Sequence, residues 1–346
     1  MSKFFSAKIY FLFSILLCFS STNLFAQKND RLYIFDTKSP KSGTVMSSSK
    51  GGITFKSGSN QANYAAGTIE KILFAGDPGP LTKARESALD GQYEQALDEL
   101  KSVQIDKLKR EVIKQEALFF RIYCDAKLAL QGRGDKATAV KNARTFVSTQ
   151  PNTWHFYEVA ELLGDLAIAL GDTKNARTFY GALQGAPTPE AKIRAMYLLS
   201  IADLKDDDNP SAQSGFEKVM GVKAATPGTV RLVTLATAGK AVALARSGKG
   251  AEGLKIVDSL VADLNPNDVE LAARIYNAQG ACYLASGDKE GAILAFLHTH
   301  LLFSTQPDAH AECLTQLVEL FPQVGKPGRA AEIRQELKDR YPGFGK

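Results

Sequence analysis

The chain has 346 residues, 45% hydrophobic and 23% charged, with a formal net charge of +5. That composition excludes a disordered chain and supplies enough apolar surface for a sizeable core. No run of four or more Lys or Arg occurs, so the chain lacks the clustered basic face that nucleic acid requires.

The N-terminus reads as an export signal. Lys3 and Lys8 form a positive leader, residues 9–19 are apolar except for Ser14 and Cys18, and Leu24-Phe25-Ala26 follows a polar stretch. This order predicts a secretory signal peptide over 1–26, cut after Ala26, and a mature chain in the periplasm or outside the cell. The alternative is a retained anchor, although a spanning helix takes about 20 apolar residues. Leu17 before Cys18 argues against a lipid-bearing cysteine, which normally follows a small residue. No later segment reads as long and apolar enough to span a membrane, so no insertion is expected after cleavage. Cys124, Cys282 and Cys313 read as small buried hydrophobes in helices. A Cys282–Cys313 disulfide is the alternative open to an exported chain.

Residues 27–78 predict a small β module. β-branched and aromatic residues at 31–35, 43–46, 52–56, 63–65 and 68–74 are bounded by Gly and Ser clusters, which is the strand signature. Four or five such strands make a small barrel or a strongly twisted sheet. The pattern GTV…GGITFKSG…YAAGTIEKILF resembles SH3-like modules of bacterial envelope proteins. Asp77-Pro78-Gly79-Pro80 then breaks strand pairing.

From residue 79 to 346 the texture is helical, with 3.6-residue periodicity. A turn residue recurs five positions before a small residue. The pairs are Gly91 and Ala96, Gly134 and Ala139, Gly171 and Ala176, Gly248 and Gly253, Gly287 and Ala292, and Gly325 and Ala330. A weaker copy has Asp207 and Ala212. Inside the units Gly164 precedes Gly171, Gly280 precedes Gly287, and Tyr180 and Phe296 follow one turn after their alanines. These features resemble the tetratricopeptide repeat family, whose unit is about 34 residues. The resemblance implies a mainly α chain: an α-α superhelix of about seven helical hairpins behind the β module.

The chain contains none of the HExxH, GxSxG, Walker A or dinucleotide-binding signatures. His298 and His300 stand about 200° apart on a helix, too far to share a metal. His310 and Cys313 supply two ligands where zinc needs three or four. The expectation is therefore no catalytic residue, no cofactor and no metal. Asp206-Asp207-Asp208 reads as a solvated turn and Trp154 as hairpin core, with exposure as a partner anchor the alternative.

The resemblance also implies a concave groove lined by the first helix of each unit. Counting back from the turn glycines places Arg121, Asp125, Glu158, Glu161, Asp165, Arg274 and Asn277 on or near it. The expected function is a non-enzymatic scaffold of the periplasm or envelope that binds partner peptides or helices, with self-association into a homo-oligomer left open. One alternative is cell-wall or carbohydrate binding through Tyr33, Phe35, Tyr64 or Phe74. The other is an envelope enzyme.

Overall fold

The computed structural model describes residues 29–342. The expected leader over 1–26 and its cleavage point lie outside these residues. Five antiparallel strands come first: β1 (Asp30–Ile34), β2 (Lys41–Ser49), β3 (Gly52–Ser57), β4 (Asn60–Ala65) and β5 (Ile69–Leu73). Their order is β4-β3-β2-β1-β5, so β4 and β5 are opposite edges of an open sheet rather than partners closing a barrel. The long β2 pairs with β1 over residues 41–43 and with β3 over residues 44–49. Register shifts at Val45/Ser47 and at Tyr33/Ile34 bend the sheet at these points. Two stretches expected as separators are strand. The serines at 47–49 belong to β2, because the turn at Lys50-Gly51 is tight and Gly52 takes φ 134°. Asn60 already lies in β4, the turn being confined to Gly58 at φ 59° and Ser59.

Fourteen α-helices follow among the described residues, as seven antiparallel hairpins. They are α1 (Gly79–Leu89) with α2 (Tyr93–Lys101), α3 (Glu111–Leu130) with α4 (Lys136–Thr149), and α5 (Phe156–Ala169) with α6 (Thr173–Ala182). Next come α7 (Pro189–Lys205) with α8 (Asn209–Met220) and α9 (Pro227–Arg246) with α10 (Gly250–Ala262). The last are α11 (Val269–Ala285) with α12 (Lys289–Leu302) and α13 (Pro307–Gln323) with α14 (Pro327–Arg340).

Each hairpin turns on one left-handed residue. Gly91, Gly132, Gly171, Gly248, Gly287 and Gly325 have φ between 74° and 83°, and Asp207 takes the same place at φ 57°. The next amide returns to the helix just ended, as in Asp172 N to Ala167 O at 2.8 Å and Asp288 N to Tyr283 O at 3.0 Å. Asp135, Asp172, Asp208 and Asp288 then cap the following helix through a carboxylate. One register expectation is corrected. The turn residue of the second hairpin is Gly132, not Gly134, because two extra residues precede the Asp135 cap.

The small positions sit where helices cross. Ala96, Ala176, Ala212 and Ala292 are fully buried, and Ala139 and Ala330 nearly so. A methyl group on Gly164 would lie 2.2 Å from the Tyr180 ring, and one on Gly280 2.7 Å from the Phe296 ring. Gly239 meets Phe216 in the same way at 2.6 Å, a crossing absent from the expected set. A methyl group on Gly253 would lie 2.6 Å from Cys282 Sγ.

The three cysteines among the described residues, Cys124, Cys282 and Cys313, are buried thiols. Cys282 packs with Ala241 and Val257, whereas Cys313 packs in a separate cluster with Leu317 and Phe321, so the alternative disulfide does not form. The expectation of no second spanning segment is also corrected: α9 is long and apolar enough to cross a membrane. It is a core helix here, packed against α8, α10 and α11, with Arg231 and Lys240 in ion pairs.

The β module shares one apolar core with the first hairpins. Leu32, Phe55, Ile72 and Phe74 are continuous with Leu81, Phe119, Phe120 and Trp154. Buried charges reinforce the junction. Asp30 accepts from Val45 N at 2.6 Å and Ala75 N at 2.7 Å, and pairs with both Arg110 nitrogens at 2.6 and 2.8 Å. The fully buried Arg85 bonds Asp77 at 2.9 Å and faces Glu116 at 3.7 Å. Glu116 holds His155 Nε2 at 2.6 Å, and the imidazole stacks on Phe119 at 3.5 Å and beside Trp154 at 3.8 Å. Trp154 is therefore hairpin core, 9% exposed, not an exposed anchor.

These pairs fix signs for pH. Burial opposes the Asp30 carboxylate, but Arg110 and the two amides outweigh it and hold its pKa below the ordinary range. Its stabilisation is complete above the unfolded carboxylate value and lost as pH falls through the lower folded one. Burial also opposes the His155 cation, but Glu116 and Glu158 outweigh it and raise its pKa above 6.5. That contribution is complete below the unfolded value and lost as pH rises through the raised one.

Two outcomes follow for measurement. Ala292→Asp should lose about 3–5 kcal/mol in denaturant titration, by burying an unpaired charge, and Gly280→Ala about 1–3 kcal/mol, by overpacking against Phe296; unchanged unfolding in either contradicts the crossing. Trp154 is the only tryptophan, and a protonated imidazole quenches an indole in contact. Its emission should rise with pH at a midpoint above 6.5; a midpoint at or below that value removes the Glu116–His155 pair.

Candidate functional site

Consecutive odd-numbered helices pack on one another, α9 on α11, α7 on α9 and α11 on α13, so they form the inner layer of the solenoid. Their first two turns carry a row of charged side chains. Glu161 on α5 takes a two-pronged contact from Arg194 on α7, with Arg194 Nε to Glu161 Oε2 at 2.6 Å. Arg231 on α9 reaches Asp268, the cap of α11, at 2.8 Å and Glu270 on α11 at 2.6 Å. Arg274 on α11 bonds Asp308 on α13 at 2.7 Å. Each pair spans one odd helix to the next. The fork of an arginine fits a carboxylate in the plane, which fixes direction as well as distance.

The charges also act across the face. Arg194 is stabilised by Asp165 and Glu270 in addition to Glu161, so α5, α7 and α11 share one electrostatic environment. Burial works against the Glu161 carboxylate, but Arg194 and then Lys127 outweigh it and keep its pKa low. Asp165 sits beside Glu161 and accepts from Tyr180 Oη at 2.8 Å. Burial, then repulsion from Glu161, push its carboxyl up to about 6. The row is within reach of solvent, since the Arg194 side chain is 38% exposed.

Of the residues expected on this face, Glu161, Asp165 and Arg274 stand in the row. Arg121 is exposed on α3 and Asp125 is half-buried beside it. Two expectations are corrected. Glu158 turns to His155 Nδ1 at 3.0 Å and belongs to the junction. Asn277 is buried and ties α11 to α13 through Ala309 O at 2.9 Å. Sequence reasoning missed Lys127, Arg194, Arg231, Glu270 and Asp308. Arg194 opens the unit that turns on Asp207, so no glycine existed there from which to count back. Asp206, Asp207 and Asp208 are occupied respectively by Arg177, by the left-handed turn and by the cap of α8.

The raised Asp165 has a sign of its own. Its folded pKa exceeds the unfolded value, so ionisation costs stability as pH rises from about 4 to about 6. Asp165→Asn should flatten the change of melting temperature with pH across that window. A wild-type slope retained in the variant assigns the titration to another group.

No family model and no curated protein matches the chain. Solved structures share its fold. A tetratricopeptide repeat protein from Parabacteroides merdae is 17% identical with a TM-score of 0.52, over 77% of this chain and 93% of its own. A Rap protein complexed with competence and sporulation factor is 14% identical with a TM-score of 0.53, over 75% of this chain and 73% of its own. At such identities the likeness speaks to the fold, and with the seven hairpins it makes this chain a tetratricopeptide-type solenoid behind a small antiparallel sheet.

Proposed function

We propose that the chain is an exported, non-enzymatic scaffold of the bacterial periplasm or envelope that holds an extended segment of a partner protein along its inner face. The observation that carries this reading is the row of ion pairs over five consecutive odd helices, α5 to α13. Its cations are Arg194, Arg231 and Arg274, and its anions are Glu161, Asp268, Glu270 and Asp308. Such a row offers both signs to a partner. A carboxylate or lysine of the partner exchanges one ion pair for another, so binding strands no bare charge. The leader at 1–26 supports export. The Rap protein of the same fold was solved holding a second factor, and by analogy of fold this chain holds one too.

Cell-wall or carbohydrate binding by the β module has little to stand on. Phe74 is buried, Tyr33 and Tyr64 lie under Lys71 and Lys41, and Phe35 alone of the four aromatics is largely exposed, at 55%.

Selection of a random peptide library against the mature chain tests the proposal. Enriched peptides should share charges at a repeating interval and bind Arg194→Gln/Arg274→Gln at least tenfold more weakly, about 1.4 kcal/mol. The double variant should keep its helical circular dichroism. No enrichment, or equal affinity for a folded variant, would falsify the groove assignment.

A further inference from the structure

The last two hairpins bring together three side chains that are far apart in sequence and that no part of the proposed function uses. His300 lies on α12, His310 on α13 and Glu336 on α14. His300 Nδ1 and His310 Nε2 are 2.8 Å apart. The Glu336 carboxylate is 3.7 Å from His300 Nε2 and 4.0 Å from His310 Nε2. One ligand atom from each residue lies within 4.8 Å of the other two. His310 is fully buried, and its second nitrogen, Nδ1, is 2.7 Å from Tyr341 Oη. A metal-binding imidazole is usually fixed in this way, by a hydrogen bond from the nitrogen that does not bind.

We propose that His300, His310 and Glu336 form a site for a divalent transition-metal ion of the zinc class, clamping α12, α13 and α14 together at the C-terminal end. Two imidazole nitrogens and one carboxylate oxygen suit zinc and its neighbours, not calcium or magnesium, which take oxygen ligands. Ligand atoms around a tetrahedral zinc stand about 3.3 Å apart. To admit the ion, the imidazoles must part by about half an ångström and turn so that His300 Nδ1 and His310 Nε2 both face it, and Glu336 must close on it.

Two further features bear on the site. Arg340 bonds Glu336 Oε1 at 3.0 Å and competes with the ion for that oxygen. Its side chain is 44% exposed and also reaches Ser304 O, so it can give up the carboxylate to solvent-side contacts. Arg340 and Tyr341, which bond Glu336 and His310, also line a cleft of about 500 Å³ with Ser304, Pro307, Gln131 and Arg133. The location has a structural use as well. α14 buries only Ala330 and Ile333 of its own residues, so an ion shared with α12 and α13 would add to its attachment.

The test is a Zn²⁺ titration of the untagged mature chain against a chromophoric chelator, with the melting temperature followed in parallel. One ion per chain should bind saturably and raise the melting temperature. His300→Ala and Glu336→Gln should each weaken binding more than tenfold and abolish the thermal shift. His298→Ala should bind as the wild type does, because His298 stacks on Tyr276 at 4.5 Å instead of joining the trio. Arg340→Gln should bind at least as tightly. Three results overturn the proposal: no saturable binding by the folded wild type, binding unchanged in His300→Ala and Glu336→Gln, or an equal loss in His298→Ala.

Discussion

The close approach of two helices at a residue with almost no side chain is the constraint on which the solenoid depends. Wherever a hairpin closes, an alanine or glycine lies at the crossing, and at three of the crossings an aromatic ring occupies the space of a missing methyl group. Tyr180, Phe216 and Phe296 fill against Gly164, Gly239 and Gly280. These contacts set how far each hairpin stands from the next. The distance between odd helices in turn decides whether an arginine fork on one reaches a carboxylate on the next. The ion-pair row of the inner face is a consequence of packing chemistry buried behind it.

The first hairpins carry a second kind of constraint. Taking Asp30, Arg85, Glu116 and His155 out of water is expensive, and apolar replacements of the same volume are often as stable. What the charges supply is direction. Asp30 alone joins β1, β2, the segment after β5 and Arg110, so the sheet can sit on the helices in one orientation only. Phe74 and Leu81 then belong to one apolar cluster across the Asp77-Pro78-Gly79-Pro80 break. The break ends strand pairing without dividing the core.

Much of this was legible in the sequence, and the parts that were not share a physical reason. Spacing shows local geometry well: the left-handed turns, the capping aspartates and the small crossing residues follow from backbone sterics within a few residues. Asp207 was readable as a turn because aspartate tolerates the left-handed region. Gly132 was misplaced because Gly134 stood at the usual distance from Ala139. Contacts between units were harder to read. Asn277 has the pattern of an exposed groove residue, and only the position of Ala309 on the next hairpin shows that it is buried. His300, His310 and Glu336 lie on three helices, and adjacency along the chain, the signal by which paired ligands are found, does not exist for them.

The most direct test of a binding inner face is photocrosslinking in living cells. A photoreactive phenylalanine analogue at Lys127, Arg121 or Glu312 samples the odd helices, and one at Gln213, Glu290 or Arg329 samples the even ones. Crosslinks to one discrete envelope protein from the first set, with none from the second, are the predicted result. Crosslinks from the even helices alone, or no product from either set in a correctly exported chain, would contradict the account.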